Sequence, residues 1–150
     1  MINEAGEPYL IEYNIRFGDP ETQSILVRLE SDFLEICLAA IDGNLADIEV
    51  NFSDKKAVTL VLAAKGYPAS YQKGTEINLD AVRNIKDLHI FHAGTKTENG
   101  KLLANGGRVL NLTAIAENFN LACDIVYDAA ERVDWLDKYY RTDIAQKVKN

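Results

Sequence analysis

What this sequence lacks narrows it first. Of its 150 residues only two are cysteines, Cys37 and Cys123, far apart and outside any C-x-x-C spacing. That excludes a disulfide scaffold; both fall on apolar helical faces and read as buried free thiols. Basic side chains are in the minority, sixteen against twenty-three acidic, for a net charge of −7. Nonspecific binding to nucleic acid or to an anionic membrane needs basic surface and is disfavoured. A locally basic pocket for a phosphorylated small molecule remains compatible with that charge. No apolar run approaches the roughly 18 residues of a membrane span. Met1-Ile2-Asn3-Glu4 has neither the basic start nor the apolar run of a secretory leader, so a cytoplasmic setting is expected. Nothing suggests a Ser-His-Asp triad or a cysteine nucleophile, and there is no internal repeat, low-complexity tract or evident linker.

What is present is the composition of a globular chain, 47% hydrophobic and 26% charged. A chain of this length supports one sizeable core, burying about 68–70% of its unfolded surface. Alternation predicts a strand over 9–14, after a turn at "EAGEP". The "MIN" before that turn is barely long enough to partner it, a first sign that the chain is cut from something longer. Asp19 is placed to cap a helix with Pro20 in its first position, where a missing N–H costs nothing. Leu26, Leu29, Phe33, Cys37 and Ala40 continue at helical spacing, so two helices are expected over 20–29 and 32–42, with Ser31 capping the second. Gly43 is placed to end it in a left-handed conformation.

Residues 57–64 are apolar on both faces except for Thr59, the pattern of a covered central strand. Asn99-Gly100 is the strongest hairpin signal in the chain, with arms over 88–98 and 101–114. Gly106-Gly107 marks a bulge or a close backbone approach. A last helix carries the stripe Phe119, Ala122, Val126, Ala130 and Val133, opposite Asn120, Asp124, Asp128 and Glu131. Helices and strands mix without strict βαβ alternation, and the hairpin is antiparallel, which sets the class as α+β.

The densest chemistry lies in "LIEYNIRFGDPETQ". On a strand, side chains two apart share a face, so Glu12 and Asn14 project together and Arg16 follows them. A carboxylate and an amide oxygen suit a hard divalent cation such as Mg²⁺, which takes one or two protein oxygens and leaves its other positions to water and phosphates. An adjacent Arg suits a phosphate or carboxylate, and the helix start at Asp19-Pro20 aims N–H groups at the same region. Together these describe a site for moving a phosphoryl group. The same three residues are also what the solvated face of an ordinary strand presents, and spacing alone leaves both readings standing. His89 and His92, three apart, turn to opposite faces of a strand and make a poor metal pair. Lys96 and Arg108 fit either a phosphate or an ordinary exposed hairpin flank, and Tyr67 and Tyr139 read as packing residues.

Arg16–Gln23, "RFGDPETQ", resembles the signature of the phosphoribosylamine–glycine ligase (glycinamide ribonucleotide synthetase) family. The likeness continues through "SDFLEICLAAIDGNL", "GYP", "HAGTK", "NGKLL", "GGRVL" and "YYRTDI", in order, over essentially the whole chain. The resemblance implies an ATP-dependent ligase of de novo purine synthesis, built from an N-terminal domain, a central ATP-grasp domain and a C-terminal domain. Such an enzyme activates the glycine carboxylate with ATP, as glycyl phosphate. The amine of 5-phosphoribosylamine then attacks, giving glycinamide ribonucleotide, ADP and phosphate.

The resemblance further implies that Glu12 and Asn14 bind Mg²⁺ or Mn²⁺. It places Arg16 and Asp19 at the reacting groups and Gly18 against substrate; the phosphate within reach of Lys96 and Arg108, on the first of their two readings, would be the 5′-phosphate of phosphoribosylamine. Residues 1–24 would close the ATP-grasp domain, supplying its terminal strand and helix, and 25–150 would form a small mixed C-terminal domain of antiparallel sheet and flanking helices. The phosphate loop and the adenine pocket of the family find no counterpart, so the chain by itself is expected to be inactive. Two other functions compete: a different ATP-grasp enzyme of purine or biotin-dependent metabolism, against which the wording of the signature argues, and a non-catalytic α+β binding module.

Overall fold

The structure is a computed structural model and describes residues 1–13 and 15–149. The expected metal ligand Asn14 lies outside the described residues. Three helices, α1 (Glu21–Leu26), α2 (Phe33–Asp42) and α3 (Phe119–Arg132), accompany seven strands. The strands are β1 (Lys56–Ala64), β2 (Glu76–Ile77), β3 (Leu88–His92), β4 (Thr95–Glu98), β5 (Lys101–Ala104), β6 (Arg108–Ala116) and β7 (Lys138–Tyr139). They form a four-stranded sheet in the order β3-β6-β1-β7 and a three-stranded sheet in the order β2-β5-β4. Every strand pairing among the described residues is antiparallel, and the α+β class is as expected.

β1 is interior to its sheet, as its two-sided apolar pattern predicts, and pairs with β6 along almost its whole length. Leu60 and Leu62 lie opposite Leu112 and Leu110, all without solvent exposure. They share one core with Ala122, Val126, Ala130 and Val133, the predicted stripe of α3. Period-two alternation turns Thr59 and Thr113 to the other face, where α1 lies. Cys123 is buried in the core and free, and burial pushes its thiol up; Cys37 is free and half-buried.

The Asn99-Gly100 turn forms as predicted, both residues at positive φ (51° and 76°). Its arms do not run as one hairpin. They break at residues 93–94 and 105–107, so that β4 and β5 pair in the small sheet while β3 and β6 pair in the large one. The reason is a crossing of two backbones: a Cβ on Gly94 would lie 2.6 Å from the Gly106 Cα. The close approach anticipated at Gly106-Gly107 is therefore real. The register shift falls just beyond it, where Leu62 pairs with Leu110 and Ala63 with Arg108, leaving Val109 as the extra residue.

The N-terminal expectations need correction. No strand forms among the described residues of 9–14; the nearest pairing is an isolated bridge between Ile2 and Pro8. The alternation is present, but a strand without a ladder partner has nowhere to satisfy its backbone. α1 begins at Glu21 with Pro20 at the cap position and no side-chain cap, and it ends at Leu26 rather than at 29. Asp32, not Ser31, caps α2, accepting from the Leu34 and Glu35 amides. The Ser31 hydroxyl instead accepts from the Asn51 N–H at 2.8 Å. Gly43 closes α2 at φ 75° as expected.

Candidate functional site

Two remote pieces of chain meet in one open cleft: the 12–21 segment and the first residue of β6. Glu12, Arg16, Gly18, Asp19 and Arg108 line it, with Phe17 and Glu21. Sequence reasoning had named the first five. Lys96 is absent from this wall. It sits on β4, with its Nζ 2.8 Å from Glu98 Oε2, and holds the Glu98 carboxyl below its ordinary value by hydrogen bond and charge. Both histidines are exposed, and the His92 imidazole shares a hydrogen bond with Thr95 Oγ1 at 3.0 Å.

Arg108 is fixed at its base by the bulge and by β1, and its guanidinium turns toward the 12–21 segment. Nη2 lies 3.0 Å from Asp19 Oδ2 and Nη1 lies 3.5 Å from the Asp19 carbonyl oxygen. This pairing explains why Asp19 does not cap α1. Glu21 takes over locally, its carboxylate accepting the Gly18 N–H at 2.7 Å. The Thr22 N–H donates to the Gly18 carbonyl at 3.0 Å. The amides of Gly18 and Thr22 are thus used within the turn, and α1, six residues long, is not the free anion-binding helix start that the sequence suggested.

A second tie holds α1 to the sheet. The Ser24 hydroxyl lies 2.7 Å from Thr59 Oγ1, which lies 2.8 Å from Thr113 Oγ1. Thr113 is fully buried, so the chain of hydroxyls satisfies groups that would otherwise be costly to bury. Sequence reasoning did not single out Ser24, Thr113 or Glu21. The signal for the tie was Thr59, a hydroxyl in an otherwise apolar strand.

Pro20, Val61, Tyr67, Arg108, Tyr139 and Ile144 line a second, apolar hollow. Arg108 thus borders both hollows. Tyr67 does serve packing: a Cβ on Gly107 would fall 2.1 Å from its ring, and Tyr71 meets it edge-on at 6.1 Å. Tyr139 stays half exposed.

No group of three or more His, Cys, Asp or Glu side chains that could hold a metal exists among the described residues. The donors in the cleft are the carboxylates of Glu12, Asp19 and Glu21; Asp19 pairs with Arg108, and Glu21 accepts the Gly18 N–H. Carboxylates at an open cleft fit a hard cation that takes few protein oxygens and shares the rest with water and phosphate; they do not make a closed structural metal site.

The fold thus defines the class: an antiparallel α+β domain bordering a charged, open cleft. A family model described as phosphoribosylglycinamide synthetase, C domain, matches residues 57–147, and the chain belongs to that family. It is similar to a Brucella melitensis protein named phosphoribosylamine–glycine ligase, 46% identical over 99% of this chain and 35% of that protein. A Pichia angusta protein named as a bifunctional purine biosynthetic protein is 45% identical over 99% of this chain and 19% of its own length. A crystal structure of phosphoribosylamine–glycine ligase from Thermotoga maritima superposes with a TM-score of 0.75 at 38% identity, covering 97% of this chain and 35% of that one. The chain thus spans about a third of the length of the phosphoribosylamine–glycine ligases it matches.

Proposed function

We propose that this chain is part of an ATP-dependent ligase that joins glycine to 5-phosphoribosylamine, giving glycinamide ribonucleotide, ADP and phosphate through glycyl phosphate. One observation carries the reading. In a chain that matches a phosphoribosylamine–glycine ligase over 99% of its length, the "RFGDPETQ" loop and the start of β6 converge on one cleft.

In this reading Arg16 and Gly18 border the phosphoryl group being passed, and Arg108 fixes Asp19 there. Glu12 and Asn14 would hold the divalent cation, Mg²⁺ or Mn²⁺, which neutralises phosphate charge when bound. Arg16 supports transfer by adding a fixed positive charge without covalent chemistry. Lys96, if it meets the substrate 5′-phosphate, must first leave Glu98. The net charge of −7 disfavours nucleic acid or an anionic membrane as partner and is compatible with a small-molecule, cytoplasmic role. No helix among the described residues is long and apolar enough to cross a membrane.

The test joins this chain to the part of the Brucella melitensis ligase that it does not match and follows ADP release dependent on glycine and phosphoribosylamine. Activity is expected from the joined protein and not from the 150-residue chain alone. Glu12→Ala in the joined protein is expected to raise the Mg²⁺ requirement and depress turnover severely. Unchanged metal dependence would remove Glu12 from the site, and turnover by the isolated chain would refute the reading of it as an incomplete enzyme.

A further inference from the structure

Gly107 precedes Arg108, the residue that borders both hollows, and space forbids it a side chain. A Cβ there would fall 2.1 Å from Cδ2 and 2.5 Å from Cε2 of Tyr67. The tyrosine ring thus occupies the place that a side chain at 107 would take. The φ of Gly107 lies outside the left-handed region, so the ring, rather than backbone strain, calls for glycine there.

The ring is itself held from behind. It follows β1 on a turn in which the Tyr67 N–H donates to the Ala64 carbonyl at 3.0 Å and the Ala69 N–H to the Gly66 carbonyl at 2.9 Å. Tyr71, packed against the core, meets the ring edge-on. Yet Tyr67 stays 41% exposed, so filling the core does not account for its place.

The contact completes a clamp around the base of Arg108. The Ala64 N–H donates to the Gly107 carbonyl at 2.8 Å, and the Gly94 N–H donates to the Arg108 carbonyl at 3.0 Å. These bonds fix two carbonyls; the Tyr67 ring blocks the remaining swing of Gly107, the residue type with the widest backbone freedom. At the far end of Arg108 is a planar fork whose use depends on its direction. Its Nη1 and Nη2 reach Asp19, and a guanidinium with five N–H groups keeps further donors for a phosphate.

We infer that Tyr67 is a positioning residue. Its ring, not its hydroxyl, holds Gly107 so that the Arg108 guanidinium is aimed into the cleft, where it engages Asp19 and the 5′-phosphate of phosphoribosylamine. The inference rests on the functional reading above and, within it, on Arg108 as the phosphate-binding side chain. Loss of the ring weakens phosphoribosylamine binding and leaves the chemical step intact, because a misdirected fork is lost equally to ground state and transition state.

The experiment has two arms. In the 150-residue chain, Tyr67→Ala is expected to speed amide exchange at Gly18 and Thr22 as Arg108→Ala does, and Tyr67→Phe to leave it unchanged. In the joined protein, Tyr67→Ala is expected to raise KM for phosphoribosylamine at least about tenfold with kcat held within about twofold. Tyr67→Phe keeps both values. In an Arg108→Ala background Tyr67→Ala should raise KM no further, as required of a residue that acts through another. Unchanged fluorescence of the buried Trp135 shows that each variant is folded. Should Tyr67→Ala not fold, Tyr67→Leu, apolar but without a flat ring, is held to the same expectations. A further rise of KM in the Arg108→Ala background, an equal effect of Tyr67→Phe, or an unmoved KM in an active joined protein would each overturn the inference. Faster amides in Tyr67→Ala but not in Tyr67→Phe, beside a joined protein that never turns over phosphoribosylamine, uphold the positioning and sink the functional reading. An active joined protein with amides and KM both indifferent to Tyr67→Ala does the reverse.

Discussion

Arg108 and Asp19, 89 residues apart in the chain, meet at 3.0 Å and join the first residue of β6 to the turn before α1. Both side chains are nearly half exposed, so water screens the pair and its stabilising effect is small. A double-mutant cycle of Arg108→Ala and Asp19→Ala, read by urea unfolding, is expected to give a coupling of about 0.2–1 kcal/mol. The larger effect is positional: amide exchange at Gly18 and Thr22 is expected to rise in Arg108→Ala. A coupling near zero together with unchanged exchange would show that the pair does not hold the turn.

The hydroxyl chain Ser24–Thr59–Thr113 behaves differently because it is dry at one end. Thr59→Val keeps the shape of the middle member and leaves both outer hydroxyls unpartnered, at a cost of about 1–3 kcal/mol in urea unfolding. Removing all three hydroxyls, with Ser24→Ala, Thr59→Val and Thr113→Val together, is expected to cost less than Thr59→Val alone. If the triple variant is the least stable, the groups are not acting as one chain.

These two ties show what the sequence makes legible and what it does not. Leu60, Leu62 and the α3 stripe declare their burial by spacing, and Asn99-Gly100 declares its turn, because each rests on residues close in the chain. The candidate cleft was legible as a list, since Arg16, Gly18 and Asp19 fall in one signature and Arg108 follows the Gly106-Gly107 pair. That Asp19 would leave the helix cap for Arg108 was not, since it depends on which of two acceptors a distant guanidinium reaches. The strand expected over 9–14 does not form among its described residues for a related reason: alternation states a preference, but no neighbouring strand among the described residues completes it. The splitting of the hairpin arms between two sheets depends on the Gly94–Gly106 crossing, a contact between arms that no local pattern encodes.

The Lys96–Glu98 pair gives a prediction in pH. Lys96 lowers the Glu98 carboxyl from its ordinary 4.5 by hydrogen bond and charge. A carboxylate lowered in the folded state contributes stability that is present above its unfolded value and lost as pH falls through the folded one. Lys96→Ala is therefore expected to return the Glu98 midpoint toward 4.5, followed by carbon NMR of the side-chain carboxyl. Inorganic phosphate that draws Lys96 away should move the midpoint in the same direction. A midpoint unaffected by Lys96→Ala would show that the pair is not maintained in solution.

Gly94 offers the sharpest steric test. Its absent side chain is required by space: an added Cβ would lie 2.6 Å from both the Arg108 carbonyl oxygen and the Gly106 Cα. Neither backbone can retreat easily, because the Gly94 N–H donates to the Arg108 carbonyl at 3.0 Å and the Asn105 N–H donates to the Gly94 carbonyl at 2.7 Å. Gly74 is the control, with φ at +82° but open space around it, so Gly74→Ala meets conformational strain of about 1–2 kcal/mol and no clash. Gly94→Ala is expected to cost at least about 3 kcal/mol, the upper end of overpacking, and to be the more destabilising of the two. It also pushes on the residue that holds Asp19, so the turn amides of Gly18 and Thr22 should exchange faster in Gly94→Ala but not in Gly74→Ala. Equal losses of stability, with the turn undisturbed in both, would mean that the two backbones do not cross as closely as the geometry requires.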